Sequence, residues 1–185
     1  MMRTANERKP ERPWSVPLSV HEVPEAGRHL VLAADETARA AIAKAAGLPA
    51  VPRLEANFDV TRHGSGGLRV VGRVSATVAQ VCVVTLDPLE NKIEETVEVT
   101  FVPAPAPMAD EGGRKRVLEV SSDDEEEVEP IVNDTVDLGA IATEFLLLGI
   151  DLYPRKPEAV FQALPVEDHA EHPFAALGSL RKGRP

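Results

Sequence analysis

The stretch LEANFDVTRHGSGGLRVVGRVSATVAQVC, residues 54–82, decides the fold. Leu54, Ala56, Phe58 and Val60 alternate with Glu55, Asn57, Asp59 and Thr61. HGSGG at residues 63–67 supplies a turn; its glycines read as a hairpin turn and not as a phosphate cradle, because no strand-to-helix context surrounds them. Leu68, Val70, Gly72, Val74, Ala76, Val78, Gln80 and Cys82 then share one face, with Arg69, Val71, Arg73, Ser75 and Thr77 on the other. A period of two across a glycine-rich turn predicts a long antiparallel hairpin with one buried face. After Asp87-Pro88 the alternation resumes at Ile93, Val97, Val99 and Phe101, predicting a third strand. Arg69 and Arg73 would then meet Glu94 and Glu98 across the outer face.

Working outward, Asp35 fits an N-cap before ETARAAIAKAA, where Ala38, Ala41, Ile42 and Ala45 fall at helical spacing. Gly47 suits the residue after that helix and Pro49 prevents its continuation. WSVPLSV at residues 14–20 reads as a short edge strand, since Pro17 lacks a ladder donor. RHLVLA at residues 28–33 reads as another. A second helix starts at Asp137, with Leu138, Ile141, Ala142, Phe145 and Leu148 as its stripe and Leu146 and Leu147 widening it. Such a helix is wedged in the core or shows an apolar flank to a partner.

The expected fold is α+β. A bent antiparallel sheet, which could close part of a barrel, is covered by two helices. Residues 1–13 form a tail, residues 14–157 a single domain containing a long acidic loop at 103–130, and residues 158–185 a loosely structured tail. VLEV at residues 117–120 could add a short strand within that loop.

Charge bounds the function. The chain has 185 residues and a net charge of −10. Residues 1–80 carry a net +3, residues 81–152 a net −14, and residues 153–185 a net +1. Six carboxylates, Asp123, Asp124, Glu125, Glu126, Glu127 and Glu129, crowd one short run. Extensive contact with a phosphate backbone needs Lys and Arg in excess, so this balance favours a basic protein as partner. The acidic run would steer the encounter. Arg62, Arg69 and Arg73 on the hairpin, and Arg181, Lys182 and Arg184 near the end, remain candidates for weak RNA contact.

Cys82 is the only cysteine, so neither an intrachain disulfide nor a Cys-based zinc site can form. It reads as a core thiol beside Val74 and Val78. No apolar run reaches the roughly 20 residues that span a bilayer, and MMRTANERKPER lacks the apolar run of a secretory signal. The expected compartment is the cytoplasm, with no membrane contact. His169 and His172 in EDHAEH read as a solvated loop, not as metal ligands. Neither a cofactor nor a catalytic set is expected: the histidines are scattered and no serine sits in a nucleophile elbow.

Two segments carry a resemblance. QVCVVTLDP at residues 80–88 supplies Gln80, Cys82, Thr85 and Leu86. VDLGAIATEFLLLGIDLYPRKP at residues 136–157 supplies Asp137, Leu138 and an interior Glu144. In this order, with an acidic linker between them, they resemble the YceD family, named for accumulation of large-subunit ribosomal RNA. The resemblance implies a non-enzymatic role in synthesis, processing or stability of that RNA. Many members place Arg before a second Cys, and some add further cysteines that look like zinc ligands. This chain has Val83 and Val84 beside Cys82 and no other Cys, so a metal role does not carry over. The alternatives are a protein-binding adaptor unrelated to ribosomes and, further off, a small hydrolase or nuclease.

Overall fold

The computed structural model describes residues 12–103 and 128–161. The hairpin is there as expected. Strand β3 (Ala50–His63) runs antiparallel to β4 (Gly67–Val81), which runs antiparallel to β5 (Pro88–Pro103). Strand β2 (Arg28–Ala33) pairs with β3 on the far edge. The predicted inner face is buried: Leu54, Phe58, Val60, Leu68, Val70, Val74, Val78 and Val97 have almost no solvent contact. A register shift between Ala50 and Arg53 brings Val51 into the core although it lies out of phase with Leu54.

Helix α1 (Glu36–Ala46) packs on β3 through Ala38, Ile42 and Ala43. Asp35 caps it by accepting from the Ala38 N–H at 2.7 Å. Gly47 ends it in the left-handed region at φ 67°, where a side chain is disfavoured. On the outer face the two expected cross-strand ion pairs form, Arg69 with Glu98 and Arg73 with Glu94.

Three expectations need correction. The sheet is mixed rather than wholly antiparallel. Strand β6 (Val128–Ile131) joins the edge of β5 in parallel, with Glu129 opposite Phe101, giving the order β2-β3-β4-β5-β6. The loop set at 103–130 therefore ends in a strand. Pro130 is tolerated there because β6 is an edge, and Ile131 anchors it by burial. Second, β1 (Pro17–Ser19) leaves the main sheet and pairs with β7 (Thr135–Asp137) in a separate two-stranded sheet. Asn133 and Asp134, both at positive φ, make the tight turn before β7. Third, the phase of α2 (Leu138–Leu148) differs. Leu138, Ile141, Ala142, Thr143 and Leu146 are buried, whereas Leu148 is 74% exposed. Thr143 tolerates burial because its hydroxyl donates to the Gly139 carbonyl at 2.8 Å.

The five-strand order includes no pairing between β2 and β6, which closure into a barrel would require. Both helices, the inner sheet face and β1 share one core cluster. No described helix is long and apolar enough to cross a membrane. The VLEV strand, the first five carboxylates of the acidic run, His169, His172, Arg181, Lys182 and Arg184 lie outside the described residues.

Candidate functional site

Two clasps hold α2 to the rest of the fold, and most of the singled-out motif residues build them. The first is at its N-terminus. Asp137 caps the helix by accepting from the Ala140 N–H at 3.2 Å. The same carboxylate accepts from the Val16 N–H at 2.9 Å, the Ser15 hydroxyl at 2.8 Å and the Arg12 guanidinium at 2.9 Å. The Leu138 N–H donates to the Val16 carbonyl at 3.0 Å, and the Leu138 side chain is fully buried. Gly139 lets the two backbones approach: a Cβ there would lie 2.9 Å from the Val16 nitrogen. Partial burial opposes ionisation of Asp137, but the Val16 N–H, Arg12, Ser15 and the Ala140 N–H outweigh it and hold the carboxyl below its ordinary range.

The second clasp joins the β4–β5 turn to the chain leaving α2. Gln80 is buried, and its amide donates to the Asp151 carbonyl at 2.7 Å while accepting from Asn91 at 2.6 Å. The Val83 N–H donates to the Pro154 carbonyl at 2.9 Å, and Lys156 pairs with Asp87 at 3.1 Å. Cys82 sits between them. It shares the buried face, but it is not a member of the apolar core cluster. Its sulfur accepts from the N–H groups of Thr85 and Lys156, each at 3.5 Å. Cys82 is thus the buried thiol expected on the face of Val74 and Val78, and its sulfur has two backbone N–H donors as well.

Those donors change the thiol. Thr85, through its side chain, and the N–H groups of Lys156, Thr85 and Val84 favour the thiolate more than burial opposes it, lowering Cys82 from an ordinary 9.0 to about 6. A lowered acid favours the folded state once ionised. Its contribution is complete above the unfolded value and is lost as pH falls through about 6. The urea midpoint of the wild-type protein should therefore rise between pH 6 and 9 relative to that of Cys82→Ala. Parallel midpoints across that window would contradict the thiolate.

The side chains of two motif residues stand apart from the clasps, although the Leu86 N–H donates to the Cys82 carbonyl at 2.9 Å. Leu86 projects from the turn, 77% exposed, on left-handed backbone at φ 61°. Glu144 is exposed on α2 and lines two adjoining hollows. The basic candidates are differently placed. Arg69 and Arg73 are in ion pairs, and the Arg62 guanidinium donates to the Val23 carbonyl at 2.7 Å. The structure does not bring them together as an unopposed basic stripe.

Sequence reading passed over Asn91, Lys156, Arg12 and Ser15. Asn91 left one trace, a polar side chain at an inward position of β5. Among the described residues, no group of three or more His, Cys, Asp or Glu side chains is placed to hold a metal ion.

No curated protein and no solved structure matches the chain. The family described as large ribosomal RNA subunit accumulation protein YceD matches residues 70–181, a span holding residues 80–88, residues 136–157 and α2. The chain that ties Gln80 and Cys82 to the exit of α2, and Asp137 to its entry, belongs to the YceD family.

Proposed function

We propose that this protein is a non-enzymatic, cytoplasmic factor that supports synthesis, processing or stability of large-subunit ribosomal RNA. It does so by binding a basic protein of the precursor particle, with RNA touched weakly or through that partner. The biological setting comes from family membership. The observation that carries the mode of action is the fate of the motif residues. Gln80, Cys82, Asp137 and Leu138 are engaged in internal bonds and packing. What remains outside is charge and apolar surface. Residues 81–152 carry a net −14. A field of that sign repels phosphate and raises the encounter rate with a cationic surface. Arg62, Arg69 and Arg73 are already engaged within the protein, which leaves RNA contact a minor role.

The test is to exchange Asp123, Asp124, Glu125, Glu126, Glu127 and Glu129 for Asn and Gln. Capture of large-subunit precursors by the purified protein should weaken, by about tenfold near 50 mM salt and less at higher salt, as expected for screened steering. Capture unchanged at both salt concentrations would remove the acidic run from the mechanism. Absence of co-sedimentation by the wild-type protein would favour an adaptor unrelated to ribosomes.

A further inference from the structure

The two hollows that share Glu144 form one trough along α2. One, of about 400 Å³, reaches from Phe101 and Glu129 to Asp137 and Glu144. The other, of about 440 Å³, continues to Leu147 and Leu148. Arg12, Ala140 and Glu144 line both, so the two hollows adjoin. Its two ends differ in chemistry. Leu147 and Leu148, 43% and 74% exposed, make the far end apolar. At the near end Arg12 is paired with Asp137, and Glu144 adds a further, exposed carboxylate.

We propose that this trough is the docking site for a cationic amphipathic segment of a protein partner. An apolar side chain would cover Leu147 and Leu148, and a Lys or Arg about one helical turn away would approach Glu144. The inference rests on the function proposed above and adds the surface that does the binding. Charge complementarity selects the occupant. An apolar groove alone would accept any greasy surface, whereas the Glu144 carboxylate beside it disfavours an acidic segment or a nucleic acid. Glu144 is suited to the contact because it is a motif residue outside the clasps, facing solvent on the trough wall.

The experiment uses the full chain and a fluorescent 16-residue peptide with Leu on one face and Arg on the other. Its counterparts are a Leu/Glu peptide and a single-stranded RNA. Anisotropy should show binding of the Leu/Arg peptide alone. Glu144→Lys and Leu148→Ser should each weaken it by about tenfold. Val31→Ser, at an exposed position on β2, should not. Both trough positions are exposed, and circular dichroism should show each variant folded. Equal affinity for wild type, Glu144→Lys and Leu148→Ser would overturn the site, as would RNA displacing the peptide. Two further results would overturn it by giving the trough another occupant: a dimer abolished by Leu148→Ser, or tighter peptide binding once residues 1–11 are removed. Precursor capture by the acidic-run variant is read separately, so loss of the trough leaves the broader reading standing or falling on its own.

Discussion

Asp137→Ala should lose about 3 kcal/mol of stability, more than an ordinary cap substitution. Removing an N-cap costs about 1 kcal/mol. Here the same carboxylate also accepts from Val16, Ser15 and Arg12. Loss of the side chain leaves the partly buried Val16 N–H without its acceptor, a penalty of about 1–3 kcal/mol. The Arg12 pair contributes less because Arg12 is partly exposed. Asp137→Asn keeps a good cap and should recover about half of the loss. The pH dependence follows from the lowered carboxyl. Its stabilisation is complete above the unfolded carboxylate value and disappears as pH falls through the lower folded value. In urea titrations, wild type should lose stability in acid relative to Asp137→Asn. Equal midpoints for wild type and Asp137→Ala at neutral pH would show that the entry clasp contributes nothing.

Gly72→Ala should be more damaging, by about 4 kcal/mol or more, which is enough to unfold a protein of ordinary stability. Gly72 sits opposite Phe58 in the β3–β4 register and opposite Val97 on β5. An added Cβ would lie 2.0 Å from the Asn57 carbonyl oxygen and 2.8 Å from a Phe58 ring carbon. The first neighbour is backbone held in a ladder, so no rotamer change relieves the overlap. The strands must separate, and Phe58, which is fully buried, must move with them. Gly64→Ala provides the contrast. That glycine has a φ of 53° but open space around it, so the cost should stay near 1 kcal/mol. Comparable midpoints for the two variants would contradict the close approach at Gly72.

The hairpin, α1 and both helix caps were legible because their signals are local. Period-two alternation surrounds a glycine turn, and Asp35 and Asp137 precede apolar helical runs. Strand β6 was hidden for a physical reason. VEPI is short, contains proline and follows five carboxylates, and its pairing depends on the distant end of β5. The phase of α2 was also illegible, since FLLL is apolar around most of its circumference. Only the sheet beneath it decides that Leu146 turns inward and Leu148 outward. The surroundings of Cys82 could not be read at all. The Lys156 donor lies 74 residues away and is a backbone N–H, which leaves no mark in side-chain identity. The motif residues were thus found by resemblance, while their division into clasp residues and outward-facing Leu86 and Glu144 required the fold.

A scaffold that works by its surface, and not by chemistry at its thiol, is tested most directly by the ratio of large- to small-subunit ribosomal RNA in cells depleted of this protein and supplied with variants. Depletion should lower the ratio. Cys82→Ala, provided it folds, should restore it. The variant with its six carboxylates from Asp123 to Glu129 neutralised should not. Full restoration by the neutralised variant, together with failure of a folded Cys82→Ala, would contradict the account.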